Sequence, residues 1–566
     1  MSMIFKPERQ LRLPTTDLLS YIFGDPEYDP NEQVGPITKI YIDAYNPTHT
    51  ISCNGARKMV KQLIRGLQDS GLEPGDCVVI HSFNNIYYSV LVLAIIGAGG
   101  VFTGTNPSCT TSELVHHLRI SKARYLISEP DLILPILEAA REVNLPEGNC
   151  WVLDTYEAST DVAPRNDLFT ISNGLSSWRT LLTHGEAEWQ RFDNLTTARD
   201  TTAARFLSSG TTGLPKAVDI THYNLVAQHT LVFEAHPRPY RMTSLIALPV
   251  FHAAIAPLVH IGALRSGYTM YIMRRFELGS YLRFVKQYAV TDLIVVPPIL
   301  TAILASDSPG RETGLKRVRN VVCGAAPLDK DTQGRVVREL LPEGVPLTQG
   351  WGMTETCCAA MMLPYPEVDA TGSVGRLVPN VEAKLIDDNG ENLSAYDVPG
   401  ELCIRGPTVT PGYHDNPAAN ESAFDADGWL KTGDVAICDS VTRKWYIVDR
   451  KKELIKVRGF QVAPSELEAV LLSHPAVVDA AVVGVCDPLH GSERPRAFVV
   501  ANPGELLRGD EVRRYAAERL AGYKDISGGV RVVEAIPRNA SGKILRRVLR
   551  GLAEYDAESG RPNSKL

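Results

Sequence analysis

No Cys-x-x-Cys pair occurs in this 566-residue chain, and none of its ten cysteines is spaced against a histidine as zinc ligands are. A zinc ribbon and a disulfide-stapled miniprotein are excluded, and the cysteines read as reduced thiols inside a cell. Long uncharged runs are also scarce. The longest, Ser82 to Ser112, is interrupted by Asn84, Asn85, Ser89 and Gly97-Ala98-Gly99-Gly100, so it reads as a buried helix feeding a core strand, and no membrane span is expected. Lys6, Glu8 and Arg9 break the N-terminal apolar run too early for a secretory leader. No internal repeat is visible. A net charge of −7 offers no overall attraction to nucleic acid or anionic membrane, which leaves small molecules as the better partner class.

With 44% apolar and 22% charged residues, the chain has enough core-forming material for two to four globular domains. Val60, Leu63, Ile64 and Leu67 recur at helical spacing and stop near Gly71, ahead of an apolar strand at Cys77 to His81. Similar β-branched runs, Leu293 to Val296 and Val318 to Cys323, alternate with helical segments, the pattern of parallel sheets covered by helices. From about Gly372 to Val448 short strands separated by Gly, Pro and Asn suggest an antiparallel or barrel-like subdomain. After Asp449 a charged break, Asp449-Arg-Lys-Lys-Glu-Leu, leads to a compact pattern: helix Ser465 to Leu472, strands Ala480 to Val485 and Ala497 to Val500, helix Glu511 to Leu520. Twenty basic against fifteen acidic residues from Arg450 onward make this last part net positive. The expected fold is α/β. A large N-terminal unit, 1–449, holds helix-covered, mainly parallel sheets and a small barrel-like subdomain, 372–449; a small α+β C-terminal unit, 450–566, follows.

The most informative stretch is Ser208-Ser-Gly-Thr-Thr-Gly-Leu-Pro-Lys216. Gly210 and Gly213 permit close backbone approach, Ser208, Ser209, Thr211 and Thr212 supply hydroxyls and Lys216 a positive charge, as a loop cradling phosphates requires. It is not a Walker A loop, because Pro215 precedes the lysine and Ala217 follows it. A plain Ser/Gly surface loop would not need the Pro-Lys ending.

This stretch resembles the signature loop of the adenylate-forming superfamily, which includes acyl-CoA synthetases, coumarate-CoA ligases, beetle luciferases and peptide-synthetase adenylation domains. Other segments resemble that superfamily in the same order, over roughly residues 40 to 550. Gln349-Gly-Trp-Gly-Met-Thr-Glu355 is similar to a motif whose aromatic residue stacks on adenine, here Trp351 beside Gly352, whose threonine, Thr354, contacts the α-phosphate, and whose glutamate, Glu355, helps hold magnesium. Gly324-Ala325-Ala326-Pro327 resembles the backbone run along the adenine and the acyl pocket. Asp434 stands where the family reads the ribose hydroxyls, with Arg450 assisting. Lys456-Val-Arg-Gly-Phe-Gln461 resembles a segment serving thioester formation, which implies a catalytic role for Lys456, a CoA-side position for Gly459 and a nucleotide contact for Gln461. Lys452 falls at the family's hinge, and Pro537-Arg-Asn-Ala-Ser-Gly-Lys543 resembles the loop presenting the adenylation lysine. The C-terminal unit is then expected to be mobile.

The resemblance implies ATP-dependent activation of a carboxylic acid, with ATP, Mg²⁺ and CoA as the other small molecules. His252, after Leu248-Pro-Val-Phe, matches a gate beside the acid, counted among the catalytic residues although not assigned as a base. Ala253, Ala254, Ile255, Cys357 and Cys358, with Ala325, are expected to line an apolar acid pocket, so a hydrophobic aryl or fatty acid is the expected substrate. An acyl-AMP ligase that loads a separate carrier protein is the alternative, and a catalytically dead homologue is disfavoured because Lys216, Glu355, Asp434, Lys452 and Lys543 are all present. Ser564-Lys565-Leu566 reads as a peroxisomal address, which implies an import receptor as partner and the peroxisomal matrix as location.

Overall fold

The computed structural model describes residues 3–24, 35, 37–155, 170–171, 174–208, 215–306, 311–393, 395–457, 460–487, 492–539 and 542–558, and the architecture is given for these. Cys77–His81 is apolar throughout because both of its faces are covered, and all five residues are buried. It lies at the centre of a nine-stranded sheet whose inner strands are parallel. The helix Cys53–Asp69 turns Val60, Leu63, Ile64 and Leu67 inward. The uncharged run resolves into a helix, Tyr88–Gly97, buried on every side, and the core strand Val101–Thr105. Gly97 is needed there for packing: a Cβ would stand 2.5 Å from Leu19 and 2.7 Å from Ile64. Among the described residues no helix is long and apolar enough to cross a membrane.

A second sheet has seven strands, in which Asp292–Val295, Asn320–Cys323 and Leu347–Gln349 run parallel. The strand expected from Val318 begins two residues later, because Val318 closes a turn onto Leu315 and the amides of Arg319 and Asn320 donate to Thr291. Gly324 and Gly350 follow two of these strands directly, so the motif residues lie at carboxyl ends of a parallel sheet, where open α/β sheets bind ligands.

The Gly- and Pro-rich stretch forms an open antiparallel sheet of four strands, Glu382–Ile386, Gly400–Arg405, Leu430–Cys438 and Trp445–Arg450, with Phe5 bridging to Ala383 on its outer edge. Beyond it come a two-stranded ribbon, Ile455–Val457 with Phe460–Val462, the helix Pro464–Leu472, and a long hairpin, Val477–Asp487 with Ser492–Ala501. Val530–Val532 joins that hairpin in parallel, and the helices Gly509–Ala517 and Arg546–Glu558 complete this part, which has apolar clusters of its own.

Candidate active site

The phosphate-loop candidate is a hairpin connection. Thr202–Ser208 pairs antiparallel with Lys216–Thr221, and Ser208 sits opposite Lys216. Ser209, Gly210, Thr211, Thr212 and Gly213 lie outside the described residues. The hairpin is braced from below: Arg205 Nε donates to Asp219 at 2.9 Å, and His414 Nδ1 lies 3.1 Å from the same carboxylate. Lys216 Nζ stands 4.7 Å from the ring centre of Tyr413, and the Tyr413 hydroxyl donates to Glu355 Oε1 at 2.9 Å. Glu355 is buried, and its own carbonyl accepts from Thr410 N at 2.9 Å. Sequence reading missed Tyr413. Its strand, Gly412–Tyr413, pairs with the loop's second strand, a long-range pairing that no local pattern encodes.

Trp351, Asp434 and Arg450 form a second group. The Trp351 indole N–H donates to Asp434 Oδ2 at 2.8 Å, while Arg450 Nε lies 3.3 Å from Oδ1. Asp434 and Arg450 are cross-strand partners, so the sheet itself sets their distance. Burial raises the Asp434 carboxyl pKa, and Arg450, the indole and Lys543 oppose that rise. Gly352 has no room for a side chain, since a Cβ would meet the Cys358 carbonyl at 1.6 Å. Thr354 opens the short turn Thr354–Thr356 that carries Glu355. In the run after Cys323, Gly324 N donates to Val295 O at 3.1 Å, and Ala325 adopts a left-handed φ of 67°, followed by Ala326.

Lys543 joins these groups from the C-terminal part. Its amide donates to Asn539 Oδ1 at 2.9 Å, and Gly542 beside it packs against Val296 and Pro298, close enough that a Cβ would sit 3.3 Å away. Burial pushes the Lys543 pKa down and Arg450 adds to that, whereas Asp434, Glu355 and Glu453 pull it back up. Lys543 also acts on His252, whose pKa falls to about 4, mainly through burial. His252 Nδ1 accepts from Ala254 N at 3.2 Å, which leaves the proton of the neutral ring on Nε2. Lys543 is therefore within electrostatic reach of His252 and of three carboxylates.

Two of the acid-pocket candidates touch: the Cys358 thiol donates to Ala254 O at 3.2 Å, while Ala253, Ile255 and Cys357 are buried in the large apolar core. Ala254 itself is open to solvent. Cys357 and Cys358 take left-handed φ values of 58° and 132°, and burial keeps both as neutral thiols, Cys358 with a pKa near 12.

Lys456 does not join the group. It lies exposed on the ribbon, its amide donating to Glu493 at 2.8 Å, opposite Gln461, while Gly459 lies outside the described residues. Lys452 is exposed in the turn that follows Arg450. Ser564, Lys565 and Leu566 lie outside the described residues.

Residues 33–414 match the family model for the AMP-binding enzyme, and residues 466–543 match its C-terminal domain. A phenylacetyl-CoA ligase of Aspergillus niger is 50% identical across 97% of this chain and 98% of its own. An acyl-CoA ligase of the same species is 48% identical across 97% of this chain and 100% of its own. The ATP-bound structure of MatB from Rhodopseudomonas palustris superposes with a TM-score of 0.80 at 25% identity, covering 95% of this chain and 98% of that one. With its motif residues gathered as described and these matches spanning nearly its whole length, the chain belongs to the AMP-binding, adenylate-forming enzyme family.

Proposed function

We propose that this enzyme is an ATP-dependent acyl-CoA ligase that activates an apolar aryl or fatty monocarboxylate as its acyl-adenylate and passes the acyl group to CoA, releasing pyrophosphate and AMP. What supports the reading is that Lys543, beside Gly542 packed on Val296 and Pro298, is within electrostatic reach of His252 and of the Asp434, Glu355 and Glu453 carboxylates. A carboxylate is a poor acyl donor until its oxygen becomes part of AMP. Making that bond brings two anions together at the α-phosphorus, and a buried ammonium between them offsets the repulsion. Trp351 would stack on the adenine, Asp434 with Arg450 would take the ribose hydroxyls, and Lys216 with the loop after Ser208 would hold the phosphates. His252, neutral at working pH, would gate the acid side.

Glu355 suits magnesium, being a hard oxygen donor fixed by Tyr413 and able to share the ion with ATP phosphates and water. Among the described residues no group of three His, Cys, Asp or Glu forms a site of its own. Bound there, the ion would neutralise charge on the departing pyrophosphate. Residues 1–449 and 450–566 would act as two units turning about Lys452, so that Lys456 and Gly459 replace Lys543 at the acyl carbon for the thioester step. The relatives named as CoA ligases favour CoA over a carrier protein as acceptor. Pyrophosphate release across an acid panel tests the reading: phenyl-substituted and medium-chain monocarboxylates should lead, with CoA required for turnover. Best rates with dicarboxylates or amino acids would sink it, since nothing in the Ala253, Ile255, Cys357 and Cys358 wall pairs with a second charge.

Trp351 carries a separate prediction. Trp351→Phe keeps an aromatic face and removes only the donor to Asp434, so KM for ATP should rise about 10-fold with little change in kcat. The preference for ATP over 2′-deoxy-ATP should weaken at the same time. An unchanged KM would mean that the indole N–H does not position the carboxylate.

We also propose the peroxisomal matrix as location, on the terminal Ser564-Lys-Leu566. Deleting Leu566 should leave an active enzyme in the cytosol; import that survives the deletion would show another signal at work.

A further inference from the structure

Val250 stands just before Phe251 and His252, and side chains from elsewhere in the fold hold both of its peptide groups. Its N–H donates to Asn84 Oδ1 at 3.0 Å, and its carbonyl accepts from His260 Nε2 at 3.0 Å. His260 is buried and neutral; because a carbonyl only accepts, its proton sits on Nε2, and Nδ1 takes the Ser89 hydroxyl at 2.8 Å. Asn84 reaches further. Its Nδ2 donates to Leu248 O at 2.9 Å, on the other side of Pro249, and to Met273 O at 3.1 Å. One buried amide thus grips the chain before and after Pro249 and ties it to the residue that ends the strand Thr269–Ile272 of the second sheet. Asn84 itself follows the central strand Cys77–His81, so the grip joins the carboxyl ends of the two large sheets. From this anchored point the chain turns tightly: His252 N donates to Pro249 O at 3.1 Å, and the amides of Ile255 and Ala256 return to His252 O at 3.1 and 3.2 Å. Phe251 lies against Gly104, where a Cβ would stand 2.6 Å from the Phe251 Cβ.

We propose that Asn84 is a positioning residue for the acid side of the reaction: by fixing Leu248 and Val250 it sets where His252 stands, and so how well the carboxylic acid is received. The bonds require this residue type. A hydrocarbon side chain of similar volume could fill the space, but it could neither accept from the Val250 N–H nor donate to two carbonyls. Asn85, the next residue, gives the contrast. Among the described residues its side chain bonds only within its own turn, donating to Ser82 Oγ at 2.9 Å and Phe83 O at 3.3 Å and accepting from Tyr87 N at 3.0 Å. Two adjacent asparagines of the same chemistry therefore differ in what they hold, and only one of them holds the run that carries His252. This inference rests on the ligase reading, in which His252 gates the acid.

The test measures pyrophosphate release with phenylacetate, or with whichever acid of the panel turns over fastest, in wild type, Asn84→Ala, His252→Ala, the double variant and Asn85→Ala. Asn84→Ala should raise KM for the acid about 10-fold and change KM for ATP less than about 3-fold. Loss of folded protein lowers the active fraction and leaves both KM values where they were, so this split separates positioning from mere support. His252→Ala should itself raise KM for the acid. In that background Asn84→Ala should add less than about 3-fold, because the group it positions is gone. Asn85→Ala should keep both wild-type KM values. If the alanine variant does not fold, Asn84→Ser carries the same comparison. Parallel rises in both KM values, a loss in kcat alone, no change, a full rise that persists without His252, or the same rise in Asn85→Ala overturns the inference and leaves the ligase reading intact. An unchanged KM for the acid in His252→Ala removes the gate, and this inference with it. No pyrophosphate from any acid overturns the ligase reading itself.

Discussion

Replacing Lys543 by alanine is expected to slow acyl-adenylate formation by about 10²- to 10³-fold while leaving thioester formation from supplied acyl-adenylate within a few-fold of wild type. The asymmetry follows from where the side chain stands. Its ammonium is buried among Asp434, Glu355, Glu453 and Arg450 and close enough to His252 to depress the ring's pKa, so it acts where acid and nucleotide meet. Once the adenylate exists, the two anions have become one neutral mixed anhydride linkage plus a single phosphate charge, and less repulsion remains to be offset. Lys456, exposed on the ribbon while Lys543 is in the site, has its turn only if the C-terminal part rotates. Lys452→Pro, which restricts φ at the proposed hinge, should show the opposite pattern: adenylation spared, CoA transfer slowed. Quench-flow of each half-reaction separates the two. Equal losses in both steps for both variants would exclude a two-conformation mechanism.

Much of this arrangement was legible in the sequence, for identifiable reasons. Buried parallel strands such as Cys77–His81 are apolar without interruption, and the amphipathic helix over Val60 to Leu67 has a single period, so neither leaves a competing assignment. The site residues could be named because short motifs keep Trp351, Thr354 and Glu355 within one turn of chain. Contacts between distant segments were not legible. Tyr413 reaches Glu355 from 58 residues away and Trp351 reaches Asp434 across 83, through strand pairings that no local pattern encodes. The motif gives Lys456 a role but not the conformation in which the role is exercised.

Acid should destabilise the protein steeply, and its buried histidines are the reason. His81, His117, His222, His229 and His260 are all buried, and burial lowers their pKa values to about 4, or about 3 for His117. Each is held by a short-range partner that suits a neutral ring: His222 Nδ1 accepts the Leu18 amide at 3.0 Å, and His260 is seated between Ser89 Oγ at 2.8 Å and Val250 O at 3.0 Å. In the unfolded chain the same rings titrate near 6.5. The unfolded state therefore binds more protons between about pH 6.5 and 4, and stability, complete above 6.5, is lost as pH falls through that window. A histidine lowered by two to three units contributes about 3 kcal/mol over the full window. Raised carboxyls work in the opposite sense. Asp449, pushed up to about 6 by burial, takes up a proton in the folded state, and Asp17, Glu129, Asp292 and Asp434 are shifted in the same direction. Between pH 6.5 and 5 the five histidines outweigh Asp449, so the urea midpoint should fall throughout that interval. His222→Gln, whose side-chain oxygen can accept the same Leu18 amide, should remove one proton from the slope without removing the hydrogen bond. A urea midpoint as high at pH 5 as at pH 7 would show that these rings are not the neutral, buried groups the fold makes them.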